Sequence, residues 1–120
     1  MKEYELGEME DRFARLIWAH APVSSGELVK LCGEEFQWKK STTYTMLKRL
    51  CQRGLFKNEG GMVTVLMSQE EFRGLQGEAF LEESFGGSLP SFLAAFSKRR
   101  KLSAAEVAKL RQMIDDYEEE

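Results

Sequence analysis

The 120-residue sequence is poor in residues that hold metals or punctuate a chain: it has one histidine, two cysteines and two prolines. A zinc site needs about four Cys or His ligands at close spacing. Cys32 and Cys51 form no CxxC motif and His20 stands alone, so no metal and no other cofactor is expected. The two thiols read as buried free cysteines, and His20 as a surface residue near a helix end. Catalytic constellations are missing too: there is no Ser/His/Asp set and no glycine-rich phosphate loop. Glu82-Glu83 and Asp115-Asp116 are neighbouring carboxylates, but adjacent helical residues do not converge on one point. The chain does not read as an enzyme.

Long apolar runs are absent as well. None approaches the ~20 residues that a membrane span needs, and the opening MKEYELGEMEDRF is too acidic for a secretory signal. The expectation is a protein of the cytoplasm with no membrane partner.

One further absence is local. The net charge is -3, which argues against indiscriminate coating of nucleic acid. Yet from Phe36 to Lys57 there are six Lys or Arg and no Asp or Glu. Screening at physiological salt acts over roughly 8 Å, so a local basic patch survives in an acidic protein.

The apolar residues Met9, Phe13, Leu16 and Ile17 lie on one face of a first helix, which Ala21-Pro22 ends. SSGELVKLC opens a second helix with a capping box of Ser24 and Glu27, and Gly33 is expected to close it. KKSTTYTMLKRLCQRG, residues 39–54, makes a third. At about 100° per residue, Thr43, Met46, Leu47 and Leu50 face inward. Ser41, Thr45, Lys48 and Gln52 face outward, with Thr42, Tyr44 and Arg49 on the flanks. Leu55 to Met67 reads as a β-hairpin with NEGG at its turn. This order is that of a winged helix-turn-helix in a mainly α chain with a small β-hairpin.

From Ser68 the pattern changes to three short amphipathic helices carrying Phe72 and Leu75, then Leu89, Phe92, Leu93 and Phe96, then Val107, Leu110 and Ile114. Five of the eight Phe, including Phe80 and Phe85, fall between 72 and 96. About 50 residues rarely support a core of their own. A second copy is the simplest cover, since most soluble oligomers are symmetric dimers. The division expected is a winged-helix DNA-binding domain over 1–67 and a helical dimerisation region over 68–120. The dimerisation set is Phe72, Leu75, Phe80, Leu89, Phe92, Leu93, Phe96, Leu110 and Ile114.

A basic helix can be no more than a solvated face. This one lacks the acids that usually alternate on such a face. It offers hydroxyls able to contact bases or phosphates, and it stands directly before a hairpin. These features favour DNA binding. The rival reading is a winged helix that docks a protein and leaves DNA alone; the acidic total and the short wing favour that one.

Several phrases together resemble the penicillinase-repressor family of bacterial regulators. ELGEMEDRFARLIWAHAPVSSGELV is similar to its opening helix, Trp, Pro and Ser/Thr-x-x-Glu. WKKSTTYTMLKRLCQRG is similar to its recognition helix, and SQEEF, FGGS and KLSAAEVAKLRQMI to its dimerisation segment. The resemblance covers residues 6–114. It implies a homodimeric repressor of resistance or stress genes, bound to a palindromic double-stranded operator. Carried over by position, Ser41, Thr42, Tyr44 and Thr45 face the major groove and Lys48 and Arg49 lie nearer the phosphates, with Lys39 and Lys40 at the head of the same DNA-binding set.

Three departures qualify what the resemblance implies. The β-lactam branch is induced by a protease that cuts an Asn-Phe bond, and Ala95-Phe96 aligns there, so the Asn is missing. The copper-responsive branch has a C-terminal cysteine motif, and no Cys follows Cys51. The wing is about two residues shorter than usual, with Gly61 and Val63 where a charge and aromatics are expected.

Overall fold

The computed structural model describes residues 4–117. Among them the elements run α1 (Glu8–His20), β1 (Val23–Ser24), α2 (Ser25–Phe36), α3 (Lys40–Gln52), β2 (Phe56–Glu59), β3 (Met62–Val65), α4 (Gln69–Phe85), α5 (Leu89–Arg99) and α6 (Ala104–Asp116). The molecule is mainly α with a small antiparallel sheet, a winged helix-turn-helix followed by a helical region.

Helix α1 opens with Glu8, Glu10 and Asp11 in its first turn, where carboxylates oppose the positive end of the helix dipole. It stops at His20, because Ala21 precedes Pro22. Ser24 Oγ accepts the N–H of Glu27 at 3.0 Å and starts α2. That helix does not end at Gly33, as expected, but runs on to Phe36; Gln37, at φ 56°, takes the left-handed terminal position. Ring packing outweighs the glycine cost of about 1 kcal/mol. Phe36 lies 4.9 Å from Trp38, whose ring meets Phe13 at 5.3 Å. Helix α3 buries Thr43, Leu47 and Leu50, and Gly54, at φ 82°, follows its end.

The hairpin is part of a three-stranded sheet in the order β1-β3-β2. Val23 pairs with Val63, and Glu59 pairs with Met62 around Gly60-Gly61. Both turn glycines have positive φ, 60° and 83°, the conformation that a two-residue hairpin turn requires. Val63 is fully buried. It belongs to the core, not to an outward face of the wing where its exchange for an aromatic would alter a DNA contact.

The chain divides into two compact units, one ending at Ala79 and one beginning at Phe80. The boundary expected before Ser68 marks where α4 begins, while the packing divides inside that helix. Phe72 is the reason. It is 3% exposed and meets Trp18 at 5.9 Å and Tyr4 at 6.3 Å. The first unit's core also holds Phe13, Ile17, Leu28, Cys32, Leu47, Leu50, Leu55 and Phe56. Each large apolar side chain so buried contributes about 1.5–3 kcal/mol.

The second unit has a different character. Phe80, Phe85 and Phe92 form a triangle with ring centroids 5.5 to 6.1 Å apart, and Phe96 adds a fourth ring 5.7 Å from Phe92. No residue of α5 or α6 is fully buried. Phe80 is 49% exposed and Ile114 71%.

Candidate nucleic-acid interface

The sequence of α3 divides by periodicity into an inner and an outer face. Thr43, Leu47 and Leu50 are fixed in the core, so Ser41, Thr42, Thr45, Lys48, Arg49 and Gln52 point to solvent. Lys39 is the residue before the first turn and Lys40 the first within it; no side chain caps the helix start.

Ser41, Thr42, Thr45, Met46 and Arg49 surround a shallow hollow of about 270 Å³. The Thr45 hydroxyl donates to the Ser41 carbonyl at 2.9 Å. Its proton is therefore engaged, and it presents lone pairs and a methyl group outward. The Arg49 guanidinium lies along the helix, its Nη1 3.8 Å from Met46 Sδ.

Lys48 lies on the wing side. With Tyr44, Leu47, Cys51 and Asn58 it lines a cleft of about 420 Å³ between α3 and β2. Tyr44 is 37% exposed, and its hydroxyl donates to Ser25 Oγ at 3.2 Å. This residue, on the flank of α3 by periodicity and toward the groove by the resemblance, is thus partly turned back onto α2. Ser25 itself escaped the sequence reading, because it follows the capping Ser24 and is polar, although it shares the buried face of α2 with Leu28 and Cys32.

The ion pairs described are Arg15 with Asp11 and Lys57 with Glu59, both at 2.8 Å. Among the described residues no carboxylate pairs with Lys39, Lys40, Lys48 or Arg49, while the wing's Lys57 pairs with Glu59 on its own strand.

The cysteines offer no competing chemistry. Both are free, and burial raises both thiols above the ordinary range, with hydrogen bonds from Thr43 and Asn58 opposing the rise at Cys32 and Cys51 respectively. Thiols so shifted are poor nucleophiles at neutral pH. His20 is exposed, with Nδ1 2.9 Å from the Leu16 carbonyl. Among the described residues, no group of His, Cys, Asp and Glu is placed to hold a metal. Nor, among the described residues, is any helix long and apolar enough to cross a membrane.

The expected dimerisation residues separate into two groups. Phe72 is spoken for by the winged-helix core, which corrects its assignment to a surface for a second copy. Leu75 is half-buried and Leu89 exposed. Phe92, Leu93, Phe96 and Leu110 line an open apolar groove of about 470 Å³ together with Leu102 and Ala105. Ala95 is exposed and Phe96 half-buried, both in the middle of α5. Their peptide bond lies within a hydrogen-bonded helix, so a protease that takes extended substrate must first unwind it locally.

With this arrangement in view, the comparisons are specific. A model of the penicillinase-repressor family matches residues 6–116. A penicillinase repressor of Bacillus licheniformis is 25% identical over 117 residues, covering 94% of this chain and 91% of that protein. The methicillin resistance regulatory protein MecI of Staphylococcus aureus is 21% identical over 118 residues, covering 95% and 96%. A penicillinase repressor of Staphylococcus aureus is 23% identical over 119 residues, covering 96% and 94%. A family match running almost end to end, over a winged helix-turn-helix and its helical extension, makes this chain a member of the penicillinase-repressor family of transcriptional repressors.

Proposed function

We propose that this protein is a dimeric repressor that inserts α3 into the major groove of a palindromic operator and blocks transcription of resistance or stress genes. It acts in the cytoplasm as a regulator and not as an enzyme. The observation that carries the reading is the outer face of α3. Lys39, Lys40, Lys48 and Arg49 flank Ser41, Thr42 and Thr45, with no carboxylate paired to the cations among the described residues. Cations without partners attract phosphates, and short hydroxyls fit between base edges. The acidic remainder of the chain discourages binding except where this face fits.

The exposed Phe80 and the half-buried Phe85, Phe92 and Phe96 of the second unit support dimerisation. A two-fold dimer requires two half-sites one helical turn, or a multiple, apart. Cleavage at Ala95-Phe96 would release such a dimer, but the residue before the bond is Ala in place of Asn, so an inducing protease must accept a different sequence.

The test is fluorescence anisotropy of the protein against its own upstream DNA and a scrambled duplex, each at two salt concentrations. Tight, salt-dependent and sequence-selective binding is the expected result. Equal weak binding to both duplexes defeats the reading for that operator.

The neutralised wing, with Lys57 held by Glu59 at 2.8 Å, favours a second reading, a winged helix that docks a protein. Charge reversal at Lys48 and Arg49 separates the two. A module docking through its C-terminal helices keeps its partner, whereas a repressor loses its operator.

A further inference from the structure

Ser25 touches both elements that a winged helix brings to DNA. It is the first residue of α2 and only 8% exposed. Its backbone N–H is one of the orphan donors at a helix start, and it is satisfied from outside, by the Gly61 carbonyl at 2.8 Å. Its Oγ accepts the Tyr44 hydroxyl at 3.2 Å. Gly61 is the second residue of the wing turn, and Tyr44 stands on α3 among the groups proposed to read DNA. One residue therefore connects the wing tip to the reading helix.

Ordinary capping does not account for the Ser25 side chain. Ser24, one residue earlier, already caps α2 through the N–H of Glu27 at 3.0 Å. The hydroxyl of Ser25 instead reaches across to α3. Beside this link, Tyr44, Leu47, Lys48, Cys51 and Asn58 line the cleft between α3 and β2. The wing tip rests close on the link: a Cβ added to Gly61 would lie 3.8 Å from Ser25 Oγ.

From this geometry we infer that Ser25 is a positioning residue for operator recognition, acting through Tyr44. It fixes the Tyr44 ring, and with it the α3 face, against the wing tip. The inference rests on the proposed DNA-binding function of α3. In this arrangement the Tyr44 hydroxyl donates within the protein, so its contribution to sequence selectivity depends on Ser25. Lys48 and Arg49 supply phosphate contacts that do not.

The experiment is a double-mutant cycle of Ser25→Ala, Tyr44→Phe and the pair, in the full-length protein. Each is titrated against operator and scrambled duplex over a range of salt. Each single variant is expected to reduce the operator-to-scrambled ratio roughly fivefold, the scale of one hydrogen bond. The salt slope should stay unchanged, and the pair should lose no more than either alone. A loss for Tyr44→Phe with none for Ser25→Ala would mean that the hydroxyl acts on DNA directly, and would overturn the inference. So would additive losses, or equal losses on both duplexes.

If the unmodified protein proves unselective, the repressor reading fails, and the tether is judged separately. In the DNA-free protein, Tyr44→Phe and Ser25→Ala should each move the amide resonances of Gly60 and Gly61 in the same direction. Unmoved wing resonances in Tyr44→Phe would dispose of the link itself.

Discussion

The indole N–H of Trp18 on α1 donates to the Met67 carbonyl at 3.0 Å. Met67 is where the wing hands the chain to α4, so this bond holds the far end of the hairpin to the first helix. The same indole ring lies 5.3 Å from Phe56 and 5.9 Å from Phe72. Trp18→Phe keeps much of the packing but leaves the carbonyl without its donor. The expected cost is about 1–3 kcal/mol, seen as a lower midpoint in urea denaturation with an unchanged slope.

Thr45 and Lys48 should separate base reading from charge. Thr45 spends its proton on Ser41, so it can accept from a base amino group or lay its methyl against a thymine methyl. Thr45→Ala should relax preference at one base pair by about 1–3 kcal/mol. Lys48→Ala should weaken all duplexes alike and lower the salt slope by about one. Equal losses on operator and scrambled DNA for both variants contradict this division.

The four-ring cluster of the second unit predicts the assembly state. Phe92 and Phe96 line its apolar groove, and Asp at both positions would place two charges where rings now meet. Sedimentation should then show monomers, with binding to a palindrome far weaker than before. A dimer that survives the pair would put the interface elsewhere.

The thiols predict a pH dependence. Burial raises Cys32 and Cys51 above their ordinary value of 9.0, so each favours the native state while protonated there. That stability is fully present below pH 9 and is lost as pH climbs through the raised native values. Chemical denaturation at pH 7, 9 and 10 should show it as a declining midpoint, and Cys32→Ala and Cys51→Ala together should flatten the part of the decline due to thiols. At pH 7 alkylation of the native protein should be slower than that of a free thiol, with Cys32 modified only on unfolding.

The inner and outer faces of α3 were legible in the sequence because a long, regular helix imposes its period on the residues it buries. Thr43, Leu47 and Leu50 all lie where spacing placed them. What escaped were features decided by distant partners. β1 has two residues, too few to show alternation, and exists because β3 offers Val63 and Met62 for pairing. Gly33 has the composition of a helix end, but rings three and five positions later carry α2 beyond it. Phe72 shows a clear helical spacing, yet spacing says which face a ring is on and not which body it will meet. Ser25 shares the helical spacing of Leu28 and Cys32, but its two partners lie 19 and 36 residues away and spacing does not name them.

The wing turns on Gly60 and Gly61, whose φ angles of 60° and 83° most L side chains rarely adopt. Asn or Asp are the residues that would replace either with least strain. The turn itself therefore meets its surroundings as bare backbone, with no side chain to offer a base edge. On the proposed reading, the two glycines add backbone alone at the turn and leave the side-chain reading of bases to α3 and the strands of the wing.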